Sequence, residues 1–376
     1  MRIAQVAPLI ESVPPKHYGG TERIVSYLTE ELVRRGEDVT LFASGDSVTN
    51  ARLIAPFRRS VRKNDRCKDP MARELVLIDH VVEHAHEFDV IHFHTGYFHF
   101  AVSRYLTLPH VTTLHGRLDI PDLVPVFERF RDVPVISISN AQRAPIASAN
   151  WHTTIYHGLP ADLFRFYPDR GDYLAFLGRI SPEKGVVRAI DIAKRVDMPL
   201  KIAAKVDRAD RRYFKRTVEP LLSDSHLEWI GEITDRQKNE FLGNAYALLF
   251  PIDWPEPFGL VMIEAMACGT PVIAYDSGSV PEVMEDGVTG FIVRDLDGAV
   301  EAVKQVGHIN RANCREVFDR RFTARRMATD YIDAYNRLID SNVTSSRSDV
   351  FSPPASLVST DESNSTAAAS DGTLTA

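Results

Sequence analysis

Two glutamates, Glu256 and Glu264, stand eight residues apart in the run EPFGLVMIE, which continues AMACGTPVIAYD. At helical spacing the neighbours of Glu264 are Leu260, Val261, Ala267 and Cys268, so the segment reads as a helix buried nearly all round. A carboxylate in such a setting must shift its pKa or face a polar ligand or a cationic partner. Pro257 suits a helix start and Gly269 a stop, which places the helix from about Phe258 and Gly259 to Cys268. Were every step between the glutamates helical, they would lie up to ~12 Å apart along the axis. That is looser than the ~6.5–9.5 Å of carboxyl pairs in inverting glycosidases. The spacing suits two carboxylates holding the two ends of an extended ligand, with a helix N-terminus between them facing negative charge.

Other residues point to an anion. In GRISPEKG, Arg179 ends a strand and Lys184 opens the next helix. A lysine in a first helical turn opposes the helix dipole, and an anion bound there would relieve it. Gly19 and Gly20 follow the first strand after a long loop and offer bare N–H groups at a helix start. Without a third glycine in register they do not make a dinucleotide fingerprint. His115 ends VTTLH just before Gly116. In HFHTGYFH, His92 and His94 share one face of a strand end. As a metal site this H-x-H lacks an acidic ligand in register, and His94 reads better as lining an acceptor cleft. Asp295 and Asp297 form a D-x-D in which Asp297 is expected to cap a helix. His157, in TTIYHG, reads as a turn residue tolerant of unusual φ.

Behind these residues, strand-length apolar runs alternate with amphipathic segments. RIAQVA, DVTLFA, DVIHFH, VTTLH, VPVISIS and TTIYH fill the first half; YLAFLGR, LKIAAK, HLEWIG, ALLFPI, PVIAYD and TGFIV fill the second. Between them lie helical patterns such as TERIVSYLTEELVRRG, and Asp69-Pro70 reads as a cap and first turn. Such alternation implies parallel sheets covered on both faces. The turn-rich seam GLPADLFRFYPDRGD divides them into two domains whose strand ends would face across a cleft. The expected boundaries are 1–162 and 163–322, with a closing helix at 323–340. The Ser- and Thr-rich segment 341–376 is expected to be a disordered tail. The 376 residues carry a net charge of −7, against bulk nucleic-acid binding, although residues 57–73 hold seven basic and two acidic side chains. Three scattered cysteines give neither a disulfide framework nor a thiolate metal site, and a cytoplasmic setting is the expectation. No apolar run approaches the roughly 20 residues of a membrane span, and MRIAQVAPLI reads as a first strand rather than a signal peptide.

Taken together, EPFGLVMIE, GRISPEKG, YGGTERIVSYLTEELVRRGEDVTLFA and ACGTPVIAYDSGSVPEVMEDGVTGFIV resemble the retaining GT-B glycosyltransferases of family 4, the group 1 family, over roughly residues 1–340. The resemblance implies a GT-B fold of two Rossmann-like domains, an N-terminal one binding acceptor and a C-terminal one binding a nucleotide-sugar. It implies that Glu264 bonds the donor ribose and that Glu256 meets the sugar hydroxyls with the N–H groups of Phe258 and Gly259. Leu260 and Val261 would face the diphosphate through their N–H groups, Arg179 and Lys184 would neutralise it, and Gly19 and Gly20 would close over it. The base would lie near Ile233, and His115 beside the transferring sugar at its 6-hydroxyl. No metal and no cofactor are implied. The expected partners are a UDP-sugar, with UDP-glucose favoured, and a saccharide or lipid-linked acceptor in polysaccharide biosynthesis. The basic segment would give peripheral contact with anionic membrane at the inner face. A nucleotide-sugar epimerase, a phosphorylase or a non-catalytic sugar-nucleotide binding protein would use the same fold.

Overall fold

The computed structural model describes residues 1–350 apart from 17, 18 and 65, with side chains as far as Asn342. The first sheet has seven strands: β1 (Arg2–Val6), β2 (Asp38–Phe42), β3 (Arg52–Ile54), β4 (Val90–Phe93), β5 (His110–Thr113), β6 (Val135–Ser137) and β7 (Trp151–Thr154), in the order 3-2-1-4-5-6-7. The second has six: β8 (Leu174–Arg179), β9 (Leu200–Lys205), β10 (Leu227–Gly231), β11 (Ala247–Phe250), β12 (Val272–Tyr275) and β13 (Gly290–Val293), in the order 10-9-8-11-12-13. All pairings are parallel. The strands have this apolar composition because helices cover both faces; β4 and β11 are buried throughout. Each sheet reverses its strand order once, between β1 and β4 and between β8 and β11. Ligands of doubly wound sheets lie at the carboxyl ends beside such reversals.

The helices that bear on the site are α1 (Gly20–Arg34), α2 (Pro70–Glu83), α3 (Val186–Arg195), α4 (Asp235–Gly243), α5 (Leu260–Ala267), α6 (Arg311–Arg321) and α7 (Ala324–Val350). As expected, Asp69 caps α2 by accepting from Met71 and Ala72 N–H. Two strand readings shift. β3 was not expected, because its three residues are short and half exposed. β7 ends at Thr154, so Ile155 to His157 belong to the loop that follows. Asp295, not Asp297, caps the helix after β13 by accepting from Gly298 N–H, while Asp297 pairs with Arg195 at 2.6 Å.

The chain crosses between the domains twice, and the crossings touch. Leu159 N–H donates to Phe322 C=O at 2.8 Å and Ala324 N–H to Leu159 C=O at 2.7 Å. A Cβ on Gly158 would come within 2.3 Å of the Thr323 oxygen, so the close approach needs glycine. After the second crossing α7 lies on the first domain. Arg35 donates to Arg325 C=O at 2.6 Å, and the Tyr331 hydroxyl bonds Thr113 at 2.9 Å. The closing helix is therefore part of the first domain's surface, although it follows the second domain in sequence. α7 runs ten residues into the segment read as a tail, and 351–376 lie outside the described residues.

On the other side, Arg311 of α6 ties the seam to the second domain. Its buried guanidinium donates to the carbonyls of Tyr167, Ala245 and Gly243 at 2.8–2.9 Å and to the Thr270 hydroxyl at 2.7 Å. Arg311→Ala leaves these acceptors without a donor in a site that water does not reach, and should cost ~3 kcal/mol or more. Urea unfolding should show it as a lower midpoint at unchanged slope. A loss below ~1 kcal/mol would mean the seam is held by packing instead.

Candidate active site

A cavity of about 460 Å³ opens between the carboxyl ends of the two sheets, within the range of small-ligand sites. From the first domain it is lined by Gly19 and Gly20 at the start of α1 and by His115 after β5. From the second come Arg179, Lys184, Ile233, Glu256, the Phe258–Val261 stretch and Glu264. The residues to which the resemblance gives a donor or catalytic role all line this cleft, whereas His94, read as lining an acceptor cleft, does not. The domains meet at its edge: a Cβ on Gly20 would lie 3.7 Å from Leu260 Cδ1. Arg23 of α1 also bonds Asp235 of α4 across the divide.

The partner that Glu264 requires is Lys238, whose Nζ donates to Oε1 at 2.7 Å. Lys238 lies 3.5 Å from Asp235 as well, so Glu264, Lys238, Asp235 and Arg23 form one line of alternating charge between the domains. Glu256 is held in the same way. Lys184 Nζ donates to its Oε2 at 2.5 Å, Trp254 Nε1 donates at 3.0 Å, and Lys184 Nζ sits 4.7 Å above the Trp254 ring. Lys238 could not be found from the sequence. It stands 26 residues from Glu264 on a polar-looking helix, and Thr234 and Gln237 of that helix signal only a capping box.

Three local expectations change. α5 begins at Leu260, not Phe258, so the residues from Glu256 to Gly259 are loop and the helical estimate of carboxylate separation does not apply. Gly259 precedes α5 at φ 78, a left-handed conformation that favours glycine, and no side chain caps the helix. The first N–H groups of α5 are thus left to the cleft. Lys184 ends a short 3-10 turn at Pro182–Lys184, and α3 starts at Val186 after left-handed Gly185. It is outside the first turn of a helix, so the dipole argument for an anion does not hold; its orientation toward Glu256 places it in the cleft instead. Arg179 sits among carboxylates, 2.5 Å from Glu183, 3.8 Å from Asp210 and 3.9 Å from Asp207.

His94 is corrected outright. It is buried behind His115, and Nδ1 lies 2.8 Å from His115 Nε2 while Nε2 lies 2.8 Å from Gln5 Oε1. His92 contacts the Tyr335 hydroxyl and the Thr113 hydroxyl, both at 2.7 Å. Hydrogen bonds thus account for all four ring nitrogens of the H-x-H. His157, read as a turn residue, has an ordinary φ; among the described residues Asp197 alone is a non-glycine at positive φ. Instead it lines the cleft, stacked on His115 at 5.2 Å and edge-on to Phe258 at 4.8 Å. Asp295 and Asp297 do not line the cleft.

Comparison with known proteins bears on what such a cleft does. The chain matches the family model described as glycosyl transferases group 1 over residues 166–317 and that of glycosyltransferase family 4 over residues 18–147. The two models between them take in both domains. The chain belongs to the group 1, family 4 glycosyltransferases. An alpha-maltose-1-phosphate synthase of Mycobacterium tuberculosis is 28% identical over 87% of this chain and 98% of its own length. A phosphatidyl-myo-inositol mannosyltransferase of Mycobacterium leprae is 26% identical over 84% of this chain and 89% of its own. The GT-B fold is shared with a sucrose-phosphate synthase from Thermosynechococcus elongatus (20% identical, TM-score 0.72, 91% of this chain and all of that one). It is shared as well with an Anabaena protein, HepE, solved with UDP (19% identical, TM-score 0.70, 90% of this chain and all of that one).

In this glycosyltransferase the histidines beside the cleft are neutral. Burial pushes His115 down to about 3 and holds His92, His94, His99 and His157 well below the ordinary value. The unfolded chain binds protons on these five below about pH 6.5 and the folded protein does not. Stability should therefore be lost as pH falls from about 6.5 toward 3. Glu74, pushed up to about 7 by burial, works in the opposite sense: its contribution is lost as pH rises through 7 and regained on acidification. Glu22 and Asp210, raised by burial as well, act with Glu74, while His110 and His152, lowered by burial, act with the five. Thermal midpoints should fall steadily from pH 7 to 5, and a flat profile would show that the histidines are open to protons in the folded state.

Proposed function

We propose that this glycosyltransferase is retaining, and that it moves a hexose from a nucleoside-diphosphate sugar, UDP-glucose by preference, to a saccharide or lipid-linked acceptor. The observation that carries this reading is the pairing of both cleft carboxylates with lysines on either side of an uncapped helix start. Glu264 takes the donor ribose, with the base near Ile233, and Glu256 takes the sugar hydroxyls with Phe258 and Gly259 N–H. The diphosphate lies at the N–H groups of Leu260 and Val261 below Gly19 and Gly20. Lys184 is close enough to Glu256 to turn from it to a phosphate oxygen, and Arg179 can do the same from Glu183. In the reaction the anomeric carbon–oxygen bond to the diphosphate breaks. The acceptor oxygen bonds that carbon from the same face, and its proton passes to the leaving phosphate. The charge that develops is met by Arg179, Lys184 and the α5 N-terminus, without a metal. That HepE has been solved with UDP and with UDP-glucose supports the choice of donor.

Arg179→Ala and Lys184→Ala should each lower kcat ~10-fold or more, with a smaller rise in donor KM. A charge-assisted hydrogen bond contributes ~1.5–3 kcal/mol, and here it strengthens as the diphosphate departs. Steady-state kinetics with UDP-glucose, run with and without EDTA, test both parts. Turnover abolished by chelation and restored by a divalent cation would overturn the metal-free mechanism.

The acceptor side carries the basic segment. Arg58, Arg59, Lys63, Arg66 and Arg73 line an open basin of about 710 Å³, and Arg62, paired with Glu11, joins this segment to the cleft. Beside it α2 exposes Met71, Leu75, Val76 and Val82. Cations next to an exposed apolar helix face fit the surface of an anionic bilayer, where each Lys or Arg gains ~1 kcal/mol. No described helix is long and apolar enough to cross a membrane, so the contact is peripheral, at the inner face. Reversing Arg58, Arg59, Arg66 and Lys68 to Glu should abolish co-sedimentation with phosphatidylglycerol vesicles. Wild-type binding should weaken as salt rises and shortens the screening length. If the wild type ignores such vesicles even at low salt, the acceptor is a freely diffusing saccharide.

A further inference from the structure

His115 is the cleft end of a continuous line of buried hydrogen bonds that runs through the first sheet to the last helix. From His115 Nε2 it passes to His94 Nδ1 at 2.8 Å, and from His94 Nε2 to Gln5 Oε1 at 2.8 Å. Gln5 Nε2 donates to the Tyr335 hydroxyl at 2.9 Å, and that hydroxyl contacts His92 Nδ1 at 2.7 Å. His92 Nε2 meets Thr113 at 2.7 Å, and Thr113 meets Tyr331 at 2.9 Å. Gln5, His92, Thr113, Tyr331 and Tyr335 are fully buried, so each link excludes water. At the cleft the line stops, since His115 Nδ1 is buried and has no partner among the described residues. A buried ring nitrogen without a partner is costly unless a ligand supplies one.

The direction of the line follows from the Gln5 amide. Its nitrogen carries two hydrogens, and two acceptors stand on that side, the Tyr335 oxygen at 2.9 Å and His92 Nδ1 at 3.4 Å. Its oxygen faces His94 Nε2 alone, so His94 carries its proton there and accepts at Nδ1. His115 must then donate from Nε2, which leaves Nδ1 with a lone pair. We infer that Gln5, His94, His92 and Tyr335 are positioning residues that fix His115 as its Nε2–H tautomer, so that Nδ1 accepts a hydrogen bond from a hydroxyl of the bound sugar. The role at the sugar rests on the donor reading above; the tautomer does not. Burial keeps the imidazoles of His92, His94 and His115 neutral, which a line of single donors and single acceptors requires. The same geometry makes His115 an orienting group and not a proton carrier.

Long-range proton–nitrogen spectra of histidine-labelled protein without ligand test the tautomer directly. His92, His94 and His115 should all be neutral with the proton on Nε2. In Gln5→Glu the new carboxylate should draw a second proton onto His94. His94 then donates from Nδ1, and His115 must carry its proton on Nδ1 instead. That inversion presents a donor where the sugar hydroxyl needs an acceptor, so kcat with UDP-glucose should fall about tenfold, the equivalent of losing one hydrogen bond. UDP affinity by calorimetry should stay unchanged. Tyr335→Phe keeps the ring and removes one link, and serves if Gln5→Glu does not fold; it should broaden or split the His92 and His115 nitrogen signals. The inference is overturned if wild-type His115 carries its proton on Nδ1, or if Gln5→Glu lowers kcat with the His115 tautomer unmoved. A wild type that turns over no nucleotide-sugar would defeat the donor reading and leave the tautomer result to decide the relay.

Discussion

A carboxylate withdrawn from water must be neutralised, and the cleft of this protein is organised around that requirement at Glu264. Its partner Lys238 is held at 2.7 Å and lies beside Asp235, which in turn bonds Arg23 of the other domain. One buried charge is therefore answered by a series of alternating charges that reaches across the interdomain divide. Breaking a buried pair on one side leaves an uncompensated charge, so each member constrains the next. The consequence is mechanical as well as electrostatic: the group expected to grip a ligand in the second domain is coupled to the helix that carries Gly19 and Gly20 in the first. Glu256 repeats the device on a smaller scale with Lys184 and Trp254.

The fold supplies these contacts by its topology. Both sheets reverse order next to their central strands, so both direct their loops into the same gap. The return of α7 adds a second constraint. Because it lies on the first domain, Tyr331 and Tyr335 reach the interior of a sheet formed more than 200 residues earlier. The first domain is complete only when the chain has passed through the second and come back, and the crossings are pinned together at Leu159 and Ala324.

Much of this was legible in the residues. Twelve of the thirteen strands were placed from apolar runs, and the missing one, β3, has only three half-exposed residues. Glu264, Arg179, Lys184, Gly19, Gly20 and His115 could be named because polar side chains at strand ends, glycines at helix starts and a carboxylate in an apolar helix each break a local rule, whereas Ile233 and the Phe258–Val261 N–H groups came from the resemblance alone. Where a local rule had two outcomes, the sequence misled. His94 alternates onto the same face as His92, which is correct, but whether that face meets solvent or a covering helix depends on α7. His157 looked like a turn residue because histidine tolerates unusual φ before a glycine, yet its ring packs between His115 and Phe258.

Sequence alone determined the two parallel sheets, the cleft between their carboxyl ends and the glutamates, glycines and strand-end cations that stand in it. These follow from short-range periodicity and from where polar groups interrupt it, and both are properties of neighbouring residues. Only the tertiary structure decided which charges meet and which imidazole faces the cleft. Lys238 and Glu264 lie on different helices, and Gln5 and Tyr335 are 330 residues apart. The low dielectric of the interior makes such a contact obligatory once two groups are buried together, but the chain's local pattern carries no record of which two they will be.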